Sequence, residues 1–297
     1  MRRTFILPTI AAALALGVAG ASTANADQAS TGGPRTNDCA ARNSRRRHLQ
    51  VIGLVADGTL VCFRDDRPGR AVTIGAVVGL VQDTSIVGID QRPANGVLYG
   101  LGNAGGVYTI DVDTAAATLT SRLNKPLEGT SFGVDFNPTV DRLRVVSDTG
   151  QNLRVNVDDG TTTEDADLNI PGPTPVNPAL GVTAVGYTNN DADPNTATTL
   201  FDIDTTNDTT VIQAPPNAGS LNPTGKLGVD AMAGWVGFDI YSQLDGGTTV
   251  AVHPLASIAT PDGASSLYDV DLLTGRVTEI GAFHVRVVDI AIPTDQR

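Results

Sequence analysis

The chain has 297 residues, with 20 basic and 32 acidic side chains and a formal net charge of -12. Only three of the acids are glutamate (Glu128, Glu164, Glu279), so 29 are aspartate, and only Lys125 and Lys226 are lysine. Helix surfaces draw on Glu and Lys, whereas Asp, Gly (32) and Pro (17) form turns. The balance argues against a mainly helical protein, and against a nucleic-acid binder, which needs a basic face.

Residues 1–26 read as a signal peptide. Arg2 and Arg3 precede an apolar run from Phe5 to Val18, and Ala24-Asn25-Ala26 is a small-x-small cleavage site. The run is too short to span a bilayer, which takes about 20 residues. The paired arginines leave both the general and the twin-arginine export routes open. The expected location is extracellular or in the cell envelope, without membrane insertion. Residues 27–48, with Arg42, Arg45, Arg46 and Arg47, show no hydrophobic period and read as a flexible lead-in. Cys39 and Cys62 are the only cysteines, and export makes one disulfide the expected state, with two buried thiols as the alternative.

From residue 49 to 297 the chain reads as one domain of short apolar runs between turn residues. The runs include Val51–Val55, Leu60–Phe63, Ile86–Ile89, Val97–Leu101, Val107–Val112, Leu143–Val146, Leu153–Val157 and Val285–Ile292. Many alternate with period 2, the pattern of half-buried strands. One unit, apolar-x-apolar-Asp/Asn, ends at Asp65, Asp111, Asn156, Asp204 and Asp271, with a period near 46 over the first four. A second, Gly-x-Asp, reads Gly88-Ile-Asp90, Gly133-Val-Asp135 and Gly237-Phe-Asp239. Val287-Val-Asp289 lacks the glycine, and Gly186-Tyr-Thr188 lacks the acid.

A period near 46 with about four strands matches a propeller blade. Taking Gly-x-Asp as the innermost strand predicts an all-β, propeller-like fold of five blades. The C-terminal strand Val285–Ile292 closes a blade with the N-terminal strands, which removes open edges. The segment 182–234 is the weak point. Phe201–Asp204 fits either the second or the third strand of its blade, and the second-strand placement brings in Leu227–Val229 as the outer strand. Six blades or an irregular sandwich stay open.

The segments Gly129-Thr-Ser-Phe-Gly-Val-Asp-Phe-Asn-Pro138 and Asp141-Arg-Leu-Arg-Val-Val-Ser-Asp-Thr-Gly-Gln-Asn-Leu-Arg154 resemble a family of exported bacterial proteins catalogued only as a domain of unknown function. Tyr187-Thr-Asn-Asn190, Pro215-Pro-Asn-Ala-Gly219 and Gly237-Phe-Asp-Ile240 fit the same family. The resemblance covers most of 49–292 and implies a propeller-like domain. It carries no activity, cofactor or catalytic residue.

No complete catalytic motif is present. Gly129-Thr-Ser131-Phe-Gly133 has the spacing of a nucleophile elbow, but a strand rather than a helix follows the serine. Gly219 to Gly225-Lys226 misses the P-loop spacing. Asp191-Ala-Asp193-Pro-Asn195 with Asp202 echoes a calcium loop, without its glycine or its bidentate glutamate. The Gly-x-Asp acids are the candidate axial binding set: Asp90, Asp135, Asp239 and Asp289. Each carboxylate either accepts backbone N–H bonds from a neighbouring turn or joins a cation site, calcium being the candidate, or serves as acid or base on a glycoside. No other cofactor is expected. The expected function is a non-catalytic binding domain for a protein, a cell-wall glycan or an ion, acting as a monomer. The alternative is a propeller hydrolase of glycosidase or lactonase type.

Overall fold

A computed structural model describes residues 48–172, 177–189, 191, 195–245 and 248–296. The expected signal peptide, nearly all of the expected lead-in, Cys39 and Asp193 therefore lie outside the described residues. Five four-stranded antiparallel sheets follow one another along the chain. Blade one holds β1 (Gln50–Val55), β2 (Thr59–Arg64) and β3 (Val72–Ala76). Blade two holds β4 (Ile86–Arg92), β5 (Val97–Gly102), β6 (Gly106–Ile110) and β7 (Ala117–Arg122). Blade three holds β8 (Phe132–Asn137), β9 (Arg142–Ser147), β10 (Asn152–Val155) and β11 (Thr162–Glu164). A two-stranded ribbon, β12 (Asn169–Ile170) and β13 (Asn177–Pro178), leads to blade four. That blade holds β14 (Val182–Tyr187), β15 (Leu200–Asp204), β16 (Thr209–Gln213) and β17 (Leu221–Lys226). Blade five holds β18 (Val236–Asp245), β19 (Thr248–Ala259), β20 (Ser265–Val270) and β21 (Val277–Ala282).

The last strand, β22 (Val287–Ala291), leaves blade five and pairs antiparallel with β1, Gly53 opposite Ile290. Blade one is thus the composite blade that the unpaired chain ends require, and the protein is a five-bladed β-propeller. The inner strands β4, β8, β14, β18 and β22 pack against one another in a closed ring.

Five hydrophobic clusters hold the ring, one at each junction between blades. Alternation along a strand sends neighbouring side chains to opposite junctions. Leu98 packs toward blade one and Tyr99 toward blade three. The strands near the axis are consequently buried on both faces, every residue of β14 and β15 included, rather than half-buried as their pattern suggests. Half-exposure belongs to the outer strands, such as β7 and β21.

The apolar-x-apolar-Asp unit marks a hairpin turn. One carboxylate oxygen of Asp111 accepts the N–H groups of Asp113 and Thr114, and Asp271 does the same for Leu273 and Thr274. Asp204 likewise accepts from Thr206 and Asn207, but its turn follows the second strand of its blade. The fourth copy is therefore displaced by one strand from the others. The outer strand of blade four is Leu221–Lys226 and not Leu227–Val229. The larger gap before Asp271 also contains the long β18–β19 hairpin.

Candidate functional site

The Gly-x-Asp pattern fits the crowding of the inner ring. A Cβ on Gly133 would stand 2.7 Å from the Cα of Ala184, and one on Gly237 would stand 2.4 Å from the Cα of Asp289. Only glycine lets the next inner strand approach this closely. The aspartate two residues on then binds that neighbour. Asp90 accepts the N–H of its own Gln91 at 2.6 Å and that of Phe136 in β8 at 2.7 Å. Asp135 accepts Tyr187 N–H from β14 at 3.1 Å. Asp239 accepts from Ile240 and from Ile292, just past β22. Asp289 accepts from Ile290 at 2.9 Å and from Ile89 in β4 at 2.7 Å, completing the circuit. Phe136, Tyr187 and Ile89 belong to neighbouring inner strands and Ile292 follows one, while Gln91, Ile240 and Ile290 follow the acid in its own strand; none belongs to a neighbouring turn. At the remaining junction Thr188 stands where the acid would be, and Asn189 N–H donates to Ser242 Oγ instead.

Three of the four acids converge. Asp90, Asp135 and Asp239 each present one carboxylate oxygen, and these oxygens all lie within 4.8 Å of one another. Asp289 stands apart from that trio. A cavity of about 10 Å³ adjoins it, walled also by Gln91, Tyr187, Ile292 and Thr294. That volume is about what one water needs.

All four carboxyls are buried, and burial is the first cause of each raised pKa. Asp90 is pushed well above the ordinary range by burial and by the charge of Asp239. Asp135 is raised by burial and by Asp90 and Asp239. Asp289 is also held well above that range, and Asp239 is pushed up to about 6. Backbone N–H groups oppose these shifts, and no guanidinium or ammonium is among the groups acting on them.

The other sequence candidates separate from this cluster. Ser131 immediately precedes β8, so no elbow forms. Asp202 is wholly buried in β15, and its partner Asp193 lies outside the described residues. Cys62 is wholly buried in β2, and the expected pairing with Cys39 reaches outside the described residues. One grouping was not anticipated: His48 lies 3.4 Å from Asp65 and 3.6 Å from Asp66. Arg64 and Arg67 already neutralise Asp66 there, so this half-exposed group has cationic partners of its own.

The residues that carried the resemblance form a second buried network, between blades three and four. Arg144 is 1% exposed and donates to Asn152, Asp165, Asn217 and Tyr187. Arg154 donates twice to the same Asp165. Burial works to raise the Asp165 carboxyl, and the bonds from Arg154 and Arg144 overcome it, holding the pKa below its ordinary value. Every charge here has a partner, which is the pattern of a structural network.

A family model described as a domain of unknown function (DUF4394) matches residues 59–291. The chain belongs to this family. Membership brings no activity with it. No curated protein sequence matches. Solved structures similar to the chain include the computationally designed Ika8 protein, at 12% identity and TM-score 0.36 over 81% of this chain. PorZ, a surface component of the type-IX secretion system of Porphyromonas gingivalis, aligns at 16% and 0.37 over 80%. An auxiliary nutrient binding protein of Bacteroides thetaiotaomicron aligns at 16% and 0.36 over 78%. The chain spans 61%, 27% and 58% of those three proteins. At TM-scores below 0.5 they bear on neither mechanism nor ligand. No helix among the described residues is long and apolar enough to cross a membrane.

Proposed function

We propose that the protein is an exported, non-catalytic β-propeller whose axial aspartates hold one divalent cation, calcium being the first candidate. The observation that carries this reading is the convergence of Asp90, Asp135 and Asp239, all buried and, among the described residues, in no ion pair with a cationic side chain. Carboxylate oxygens suit a hard cation, and two oxygens facing each other across an ion at about 2.4 Å stand about 4.8 Å apart. The three oxygens lie no farther apart than that, near enough to share one ion. A backbone N–H on an oxygen leaves a further lone pair for an ion. A bound dication would also offset the burial that raises all three carboxyls and the repulsion that adds to it at Asp90 and Asp135. The signal-like N-terminus supports export, where millimolar calcium suits sites of modest affinity.

Glycoside hydrolysis receives less support. Two catalytic carboxyls must flank a sugar, at roughly 5–10 Å, and the cavity beside the trio is water-sized.

Thermal unfolding in EDTA and in about 10 mM calcium tests the proposal. Calcium is expected to raise Tm by about 3–10 °C, the size of a one-site linkage in a chain of this length. The Asp135→Asn variant keeps an oxygen for Tyr187 N–H but loses the charge, and its Tm is expected to ignore calcium. Identical wild-type melting in both solutions would sink the cation reading.

A further inference from the structure

The opposite end of the axis carries a second cavity. It lies where the inner strands begin, between Val87, Phe132, Thr183, Val236 and Val288, with Trp235 beside them. Ile86 to Asp90 is four steps of strand, so roughly 13 Å separates this mouth from the carboxylates. Between them the inner strands β4 and β8 close on each other, since a Cβ on Gly88 would meet the Val134 side chain at 2.6 Å. The cavity measures about 170 Å³, more than ten times the water-sized volume beside the carboxylates. That is room for one small ring rather than a polymer.

Its chemistry is amphiphilic and uncharged. Aliphatic and aromatic side chains share the wall with polar backbone and with Thr130, Ser131 and Thr183, and no ionisable side chain lines it. The Thr183 hydroxyl decides the ligand class. Thr183 is 2% exposed, and its Oγ1 has no hydrogen-bond partner among the described residues. A buried hydroxyl left without a partner costs about 1–3 kcal/mol, so a ligand that displaces water from the cavity must bring a hydrogen-bonding group of its own. Arg286 stacks over Trp235 at 4.4 Å and fixes the indole as a flat wall. A metal ion finds no carboxylate here. A purely apolar ligand would leave Thr183 unsatisfied.

We infer that this mouth binds one neutral saccharide unit, its C–H face against Trp235 and Phe132 and a ring hydroxyl on Thr183. The inference is independent of the cation site.

Trp235 is the chain's single tryptophan, so its fluorescence reports on this cavity directly. Glucose, N-acetylglucosamine and their β-1,4-linked disaccharides are the probes. At least one is expected to change the emission saturably at millimolar concentration or below. Thr183→Val, nearly the same shape without the hydroxyl, is expected to bind roughly tenfold more weakly, the worth of one net hydrogen bond. Ser131→Ala, at the cavity rim, serves as the second variant, with a weakening in the same direction. Sugar binding is expected to be the same in EDTA and in calcium, so failure of the cation reading leaves this one standing. No saturable change with any probe would overturn the inference. So would equal affinity in a folded Thr183→Val variant.

Discussion

A carboxyl raised by burial to about 6, as Asp239 is, holds its proton more tightly in the folded chain than in the unfolded one. Between the ordinary value of 3.8 and about 6 the folded state binds more protons, so its stability falls as pH rises. Over that window Asp239 withdraws on the order of 3 kcal/mol as an upper bound. Asp90, Asp135 and Asp289 act in the same direction and extend the window upward. In EDTA, melting temperature is therefore expected to decline from pH 4 to above pH 6, and less so in Asp239→Asn. Calcium should flatten the wild-type decline, because the ion takes the place of the protons. A wild-type profile in EDTA that rises through this interval would show that these carboxyls are not burdened as described.

At the scale of the element, the inner strand works through a glycine that admits its neighbour and an aspartate that binds it. Gly237→Ala would drive a Cβ into the Asp289 backbone, and such overpacking costs about 1–3 kcal/mol. Gly172→Ala is the control, since its Cβ would meet nothing nearer than 4.0 Å. Urea denaturation is expected to show a clear loss for the first and almost none for the second. The Gly-x-Asp repeat made the inner strands, the blade count and the closing strand legible, because each has one chemical task repeated around a ring. Asp204 left two placements open for a physical reason: its motif reports a hairpin turn, and turns occur after the second strand as well as the third. The convergence of three acids was not legible, since spacing along a strand does not fix distances across the axis. Thr183 and Trp235 carried no repeat at all. Arg144 was visible only as part of a family resemblance, and its role as a buried structural charge needed the positions of Asp165 and Asn217.

For the whole molecule, closure is the condition for everything at the axis. Blade one lacks its inner strand until β22 arrives, and Gln296 then clamps the tail to Gln50 through two hydrogen bonds. Ending the chain before Val285 would open the ring, expose the β1 edge and remove Asp289. An open edge invites pairing with other chains. Size-exclusion chromatography is expected to show the truncated chain as oligomers or aggregate, and a folded monomer would contradict the role given to β22. Asp90 and Asp135 come from neighbouring blades two and three, whereas Asp239 reaches them from blade five. The central claim is that this meeting point holds a cation. Anomalous scattering from crystals grown with calcium tests it most directly. The account predicts one peak at about 2.3–2.6 Å from oxygens of Asp90, Asp135 and Asp239. A well-ordered axis with no peak there would contradict it.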